Sequence, residues 1–428
     1  MKRTTFALID CNNFFVSCER VFNPKIWNKP VMVLSNNDGC VVARSNEVKA
    51  IGIKMGTPAF KCKDLIKKYN IQVFSSNYTL YADMSNRVME CLKQFASDIE
   101  IYSIDEAFLS LDNIYIKDFQ KYGLLIKNKI YKWTGIPVSV GIAYTKGLAK
   151  IALKIVKKDP QYKGVLDFTK FNREEADNLL QEIDVIDIWG IGPAHSKKLK
   201  TYGINTVKDF KYANTNWIKK NLTVMGERCA LELNGIPCFE LEEFPAPQKG
   251  ICSSRSFGYP VVKKDDMEEA VASYTAIASE KLRSQKSYAN IIIVFIKTNR
   301  FKKEPQYANA AYVKMIEPTS STIDLTKYAL IGLEKVFKKG YRYKKCGVIL
   351  EGIQPSDRIQ LNMFNFYNHK QRQRENKLMH YIDNMNRRWG GGIIKLASEG
   401  IKKTWSMKRC RLSKRFTTEI SEILEIEV

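Results

Sequence analysis

Short apolar runs alternate with helical spacings of apolar residues over the first 170 residues of the chain. Continuous apolar runs, which predict buried strands, occupy residues 6–9, 31–34, 41–43 and 138–143. Apolar residues three or four positions apart predict helices over residues 81–95 and 117–133, and Thr145 can cap a further, lysine-rich helix. This alternation predicts an α+β sheet with helices on one face.

The remainder of the chain divides into segments of different character. Residues 171–235 have helical patterns and lack strand runs, and residues 236–250 place prolines among acidic residues, as a linker does. Residues 251–355 combine strand and helix patterns and predict a second α+β domain. Residues 356–428 form a C-terminal tail that mixes aromatic and basic residues.

Carboxylates interrupt two of the strand patterns. Asp10 ends the first apolar run, and Asp105 and Glu106 lie side by side within the apolar stretch 100–111. Strands disfavour acids, and burying adjacent like charges is costly unless a cation neutralises them. The acid pair alone is equally compatible with a solvated hairpin turn. If the two strands are neighbours and the pair lies near a strand end or bend, the three carboxylates can hold two Mg²⁺ ions for phosphoryl transfer.

Net charge and composition narrow the classes of function. The chain carries a formal charge of +24, which favours nucleic acid as a partner over a membrane surface or a merely solubilising charge. Ten cysteines without a Cys-x-x-Cys pair argue against a zinc site or a disulfide framework and fit a cytoplasmic protein. No run reaches membrane-spanning length, and the start does not resemble a signal peptide. Three histidines supply little for imidazole-based catalysis.

Residues that could contact a nucleotide follow the first strand. Phe14 and Phe15 come soon after Asp10, and one ring could stand beneath an incoming sugar and exclude a ribose 2′-hydroxyl. Two core aromatics are the alternative. Residues 23–75 have the pattern of a small inserted subdomain, in which Val42 and Ala43 would form a flat, loosely fitting lid.

A glycine-rich hairpin is the first candidate for DNA contact. Gly190, Ile191 and Gly192 precede a predicted helix start, where free backbone amides can bind a phosphate. Lys197 and Lys198 follow on that helix. A plain corner between two helices is the alternative.

Two further candidates lie toward the C-terminus. Arg255 lies on the strand pattern at 251–257, where basic strand residues would lie along a nucleic-acid backbone. A short apolar-polar peptide in the tail could dock into the pocket of a partner, with a random surface turn as the alternative. Its residues are Gln360, Leu361, Asn362, Met363 and Phe364.

Several motifs identify a known family. Asp10 with Phe14 and Phe15, together with residues 103–107 (SIDEA), resembles the Y-family DNA polymerases. Longer runs are similar to the bacterial branch that contains the catalytic subunit of DNA polymerase V. These runs are 35–44 (SNNDGCVVAR), 74–78 (FSSNY), 80–89 (LYADMSNRVM), 189–192 (WGIG) and 252–258 (CSSRSFG). The resemblance extends over essentially the whole chain.

This resemblance implies a multidomain right-hand polymerase of α+β class. The implied parts are a ferredoxin-like palm (1–22 and 76–170), fingers (23–75), a helix-hairpin-helix thumb (171–235), a linker (236–250), an α+β little finger (251–355) and a partner-binding tail (356–428). The implied activity is error-prone translesion synthesis on damaged primer–template DNA from deoxynucleoside triphosphates, within the SOS response.

The resemblance also implies roles for individual residues. Asp10, Asp105, Glu106 and the carbonyl of Cys11 match ligands of two Mg²⁺ ions, and Phe15 matches the position that excludes ribose. Lys49 and Lys157 match positions that contact the triphosphate. The peptide 360–364 matches a sliding-clamp motif, and further implied partners are a processed UmuD-like regulatory dimer and a RecA filament.

Two positions depart from the commoner family pattern, and two other functions stay open. Many members have Tyr where this chain has Phe15 and Asn46, so a hydrogen bond from each hydroxyl is lost while the bulk of Phe15 remains. A non-catalytic DNA-binding adaptor would explain the basic charge but not the placement of the acids. A cyclase-like nucleotidyl transferase would explain the acids but not a DNA-binding hairpin.

Overall fold

The computed structural model describes residues 4–112, 114–242, 246–357 and 369–425. The chain forms two compact units within these ranges. The first unit takes in Met1–Ser35, Gly39–Pro245 and Arg411–Val428, and the second takes in Asn36–Asp38 and Ala246–Cys410. In the part of the chain that is described, no helix is both long and apolar enough to cross a membrane.

The first unit contains two sheets and most of the helices that surround the acidic residues. Its strands are β1 Phe6–Cys11, β2 Val31–Leu34, β3 Val41–Arg44, β4 Gln72–Ser75, β5 Ile99–Ile101, β6 Glu106–Ser110, β7 Val138–Ala143 and β8 Val165–Asp167. Its helices are α1 Phe14–Phe22, α2 Asn46–Ala50, α3 Lys63–Lys68, α4 Tyr78–Leu92, α5 Phe119–Thr134, α6 Lys146–Lys158, α7 Arg173–Gln181, α8 Pro193–Thr201, α9 Val207–Tyr212 and α10 Thr215–Leu233.

The larger sheet has the strand order β5-β6-β1-β7-β8, with β1 antiparallel to both of its neighbours. The prediction that helices cover one face is wrong. Ala7 and Ile9 pack in a core with α4 and α5, whereas Leu8 packs in a second core with α6. Every residue of β1 is buried for this reason, and a continuous apolar run is the pattern of a strand covered on both faces.

The smaller sheet has the order β3-β2-β4, and β2 pairs in parallel with β4. The predicted strands at 31–34 and 41–43 and the cap at Ser45 are confirmed. The Ser45 hydroxyl accepts a hydrogen bond from the Val48 amide at 3.4 Å, which satisfies a free amide at the start of α2.

Residues 171–235 are mainly helical, as their sequence pattern predicted. The glycine hairpin precedes α8, but it follows a single 3₁₀ turn at Val185–Asp187 rather than a full helix. Leu199 and Phe210 pack in the core that also holds α6, so this segment rests on the larger sheet's second face.

The second unit is a five-stranded antiparallel sheet with helices on one face. Its strands are β9 Ile251–Val261, β10 Ser287–Thr298, β11 Ala308–Thr319, β12 Tyr343–Glu351 and β13 Gln354–Pro355, and its helices are α11 Lys264–Ser284, α12 Thr322–Val336 and α13 His369–Trp389. The order is β11-β10-β12-β9, and β13 pairs with β10. Buried residues of α11 and α12 share one core with alternate residues of these strands.

The predicted tail is divided between the units. Arg283 of α11 forms a two-pronged ion pair with Asp383 of α13 at 2.6 and 2.7 Å, and Trp405 is buried beside Tyr274 in the same unit. From Arg411 onward the chain belongs to the first unit. The predicted clamp peptide, 360–364, lies outside the described residues.

Candidate active site

The three predicted acids meet where β1 and β6 pair. Asp10 lies opposite Glu106, which is the first residue of β6. Asp105 occupies the bend just before that strand, and its carbonyl accepts a 2.8 Å hydrogen bond from the Cys11 amide. The Ser103 hydroxyl lies 2.6 Å from Oδ1 of Asp105 and fixes that side chain. β1 and β6 are therefore neighbours, and the acid pair lies at a strand end. These are the two conditions under which the sequence predicted that the three carboxylates converge.

Two lysines of α6 neutralise the strand acids. Lys157 Nζ lies 2.6 Å from Oδ1 of Asp10, and Lys150 Nζ lies 2.9 Å from Oε2 of Glu106. The two lysines are seven residues apart, which places them on one face of the helix two turns from each other. Sequence reasoning assigned Lys157 but not Lys150, although the seven-residue spacing was a usable signal.

The two paired acids have opposite pKa shifts. Burial raises the pKa of Asp10 to about 7, although the Lys157 ammonium opposes the shift. Burial also favours the neutral form of Glu106, but the Lys150 ammonium outweighs it and lowers the pKa of that carboxyl. The hydrogen bond between the two carboxyls acts in the same sense, raising the pKa of Asp10 and lowering that of Glu106.

The donor set fits a hard divalent cation. Carboxylate oxygens are the ligands that Mg²⁺ prefers, and the ammonium groups of Lys150 and Lys157 stand in for positive charge on two of the three acids. Among the described residues, no three metal-ligating side chains are already gathered around one point. Two of the three acids thus have a lysine as their ion-pair partner in this structure.

The two phenylalanines after β1 differ in exposure. Phe14 is buried in the core, at 3% exposure, whereas Phe15 is partly exposed at the edge of that core. Phe15 stacks on Tyr81 of α4, with ring centroids 4.5 Å apart and planes within 16°. Of the two predicted rings, Phe15 is therefore the one available to a ligand.

Residues of the smaller sheet and α2 supply the remaining nucleotide candidates. Val42 is half-buried and Ala43 is buried on β3. Lys49 Nζ lies 3.1 Å from Oδ1 of Asn46, and the same oxygen accepts a 3.1 Å hydrogen bond from the Asn13 amide. Burial, with the nearby charges of Arg44 and Lys157, lowers the pKa of Lys49. Lys49 and Lys157 are therefore close enough to act on each other electrostatically.

The glycine hairpin has the backbone that its sequence predicted. Gly190 has φ of +89°, which favours glycine, and Gly192 is the N-cap of α8 with open space at its missing Cβ. Ile191 is buried and anchors the hairpin in the core. Lys197 is exposed on α8, whereas Lys198 Nζ lies 3.3 Å from the Asn221 carbonyl.

The second unit has an uncovered sheet face with its own basic residues. By strand alternation, Lys297, Lys314 and Lys345 point away from the helices, and Lys297 and Lys345 are register partners. Arg255 instead shares the parity of buried Ile251 and Phe257 and is half-buried. The structure thus places Arg255 on the helix side of the sheet, and the opposite face carries Lys297 together with Lys314 and Lys345, which the sequence did not single out.

Comparison with protein-family models finds three matches along the chain. Residues 9–154 match the impB/mucB/samB family, and residues 248–363 match the C-terminal domain of the same family. Residues 376–426 match a domain of unknown function, DUF4113.

Comparison with individual proteins finds polymerases and their relatives. The chain is 44% identical over 426 residues to the UmuC protein of Salmonella typhimurium, spanning 99% of this chain and 100% of that one. It is 34% identical over 209 residues to DNA polymerase IV of Saccharolobus solfataricus, spanning 47% and 56%. A solved Y-family DNA polymerase chimera of Dbh and Dpo4 aligns with a TM-score of 0.64 at 23% identity, over 82% of this chain and 99% of the chimera. This last likeness supports the multidomain right-hand fold.

Proposed function

The chain belongs to the impB/mucB/samB family of Y-family DNA polymerases and is a DNA-directed DNA polymerase, and we propose that it copies damaged template in the SOS response by two-metal phosphoryl transfer. The proposal rests above all on the register that sets Asp10 opposite Glu106, with Asp105 in the adjoining bend. That register brings three carboxylates, which are hard oxygen donors, together at the paired ends of β1 and β6. An adaptor without catalysis has no use for them.

Asp10, Asp105 and Glu106, with the Cys11 carbonyl, are the proposed holders of two Mg²⁺ ions. When bound, such ions polarise a primer hydroxyl and neutralise charge on a triphosphate. The chain's own contribution is to hold the acids in register and to pair Asp10 and Glu106 with two lysines of α6. Lys157 pairs with Asp10 in this structure, and if a cation took its place at that carboxylate, its ammonium could contact the triphosphate alongside Lys49.

Primer extension with Mg²⁺ and the four deoxynucleotides tests this site on undamaged and abasic templates. Asp105→Asn keeps the size of the side chain and removes its charge, so nucleotide addition should be lost while DNA binding by anisotropy is retained. Asp265→Asn removes an exposed carboxylate at the start of α11 and serves as the matched control. Undiminished extension by Asp105→Asn would remove Asp105 from the site.

Phe15 is the proposed sugar gate. Its ring is partly exposed, close in sequence to Asp10, and supported from behind by Tyr81. A bulky ring there leaves room for deoxyribose and clashes with a 2′-hydroxyl. Phe15→Ala should therefore raise ribonucleotide insertion relative to deoxyribonucleotide insertion, and an unchanged preference would place the gate elsewhere.

The hairpin 190–192 and the open lysine face of the second unit are the proposed DNA contacts. Both bind the backbone rather than the bases, which suits a polymerase that accepts damaged templates. Replacing Lys297, Lys314 and Lys345 together by Ala should weaken binding and flatten its dependence on salt. Replacing the exposed lysines Lys63, Lys67 and Lys68 of α3 removes equal charge as a control.

The sliding clamp, a processed UmuD-like dimer and a RecA filament are the proposed protein partners. Their support is the likeness to UmuC over the full chain and the peptide Gln360–Phe364. Deleting that peptide should abolish stimulation of primer extension by the clamp and leave basal extension intact. Equal stimulation of the deletion variant would reject the peptide as the clamp motif.

A further inference from the structure

A short segment near the C-terminus packs beside the helix that carries the proposed sugar gate. We define the C-terminal strap as residues 411–416, which lie within the region that matches a domain of unknown function. The Ser75 amide donates to the Arg411 carbonyl at 2.9 Å, so the strap begins beside the end of β4. Phe416 stacks on Phe22 of α1, with centroids 4.8 Å apart and planes within 13°. The strap thus joins β4 to α1.

Asn77 holds the centre of the strap through its side-chain amide. The side chain is buried, and its Nδ2 lies 3.0 Å from the Ser413 hydroxyl and 3.1 and 3.2 Å from the carbonyls of Ser413 and Lys414. The other end of the amide, Oδ1, accepts from the Leu80 amide and caps α4. The strap is therefore tied to the start of the helix that carries Tyr81.

A buried acid connects the strap to the gate. Glu19 is 2% exposed, and its Oε1 accepts hydrogen bonds from the Tyr81 hydroxyl at 2.6 Å and from the Ser413 hydroxyl at 3.0 Å. The Tyr81 ring lies directly against Phe15 at 4.5 Å. Ser413 thus contacts Glu19 directly, Glu19 contacts Tyr81, and Tyr81 contacts Phe15.

We propose that the C-terminal strap is a positioning element for sugar selection. In this arrangement Ser413 fixes Glu19, and Glu19 fixes the Tyr81 ring. That ring in turn sets the position of the Phe15 ring. The proposal rests on the role of Phe15 as the gate. It assigns to the DUF4113 region a task inside the polymerase unit, and it predicts that sugar discrimination depends on residues some 400 positions away in the chain. Ser413, Glu19 and Tyr81 are positioning residues, since none is required to touch the nucleotide.

The test is the ratio of kcat/KM for a deoxynucleotide to kcat/KM for its ribonucleotide on one undamaged primer–template. Both values come from the same protein preparation, so a general loss of active enzyme cancels. Ser413→Ala should lower the ratio about three- to tenfold, the effect of losing one buried hydrogen bond. Ser413→Thr keeps the hydroxyl and should restore the parent ratio. Ser421→Ala removes an exposed hydroxyl that contacts Glu419 and is the control.

Two further variants separate failure of this inference from failure of the gate. Phe15→Ala should relax the ratio if Phe15 is the gate, and no change would overturn the gate and the inference with it. If Phe15→Ala lowers the ratio while a folded Ser413→Ala keeps the parent ratio, the inference is overturned and the gate stands. Tyr81→Phe keeps the ring, removes the hydroxyl that reaches Glu19, and tests the same chain if Ser413→Ala does not fold.

The double variant gives the sharpest outcome. If Ser413 and Tyr81 act through Glu19, the two losses are not independent, and Ser413→Ala with Tyr81→Phe should relax the ratio no further than either change alone. If the fold-losses of the two single variants instead multiply in the double variant, the two hydroxyls act separately, and the proposed chain of contacts is refuted.

Discussion

The stability of the first unit should fall as the pH rises from 5 to 8, because Glu19 is buried and, among the described residues, forms no ion pair. Burial raises the pKa of Glu19 to about 7, although hydrogen bonds from Tyr81 and Ser413 oppose the shift. A group whose folded-state pKa exceeds its unfolded value binds more protons when folded. Its contribution to stability is therefore fully present below the ordinary pKa of 4.5 and is lost as the pH rises through 7.

The size of this effect follows from the shift. Each pKa unit corresponds to about 1.36 kcal/mol, so a rise from 4.5 to about 7 makes the free energy of unfolding about 3 kcal/mol smaller on the alkaline side than in acid. Glu19→Gln has nearly the same shape and still offers an acceptor to Tyr81 and Ser413, but it does not titrate. This variant should lose that part of the pH dependence.

Urea unfolding followed by circular dichroism at several pH values measures the difference. The gap in unfolding free energy between Glu19→Gln and the parent should move in favour of the variant by about 3 kcal/mol from acid to alkaline pH. Subtracting the two curves removes the contribution of Asp10, whose raised pKa acts in the same direction in both proteins. The exposed Glu182→Gln is the control. Parallel curves for Glu19→Gln and the parent would refute the reasoning.

Three further changes follow from particular contacts. Lys150→Met should raise the pKa of Glu106, because burial then acts unopposed, and the acidic limb of the pH–rate profile should move to higher pH; an unmoved limb would contradict the pairing. Gly190→Ala should cost about 1–2 kcal/mol of stability, measured by urea unfolding, since φ is +89° there; no loss would contradict the strain. Arg283→Met should release α13, seen as faster amide exchange, because Asp383 loses its two-pronged partner; unchanged exchange would show that apolar contacts suffice.

Local patterns predicted β1, which carries Asp10, and its neighbour β7, but not every strand. β1 and β7 are long apolar runs, and their bounds lie within two residues of the predicted ones. β8 is only three residues long, and β11 has the large apolar residues Tyr312 and Ile316 on its exposed face, which blurs the alternation, so neither strand was predicted. Propensity is weak where strands are short or half-polar, and pairing then decides.

The candidate site was predicted in its members more than in its arrangement. The acids were visible because Asp10, Asp105 and Glu106 interrupt apolar strands. Their register, and the lysine that each strand acid receives from α6, depend on contacts between residues far apart in the chain. No periodicity encodes such pairings, which is why Lys150 was missed. The same reason hid Glu19, whose partners lie 62 and 394 positions away.

Asp10 and Glu19, two of the buried acids of the first unit, have different partners, and the difference bears on their proposed roles. Asp10 is paired with an ammonium, a mobile cation that a divalent ion can replace without leaving the carboxylate unpaired. Glu19 accepts hydrogen bonds from two hydroxyls, which a cation can only displace by breaking the contacts to Tyr81 and Ser413. Burying a charge against hydroxyls alone costs stability, and it fixes both donors in place. In the proposed mechanism, Asp10 is therefore the acid that can exchange its partner, and Glu19 is the acid that holds Tyr81 and the strap in one arrangement.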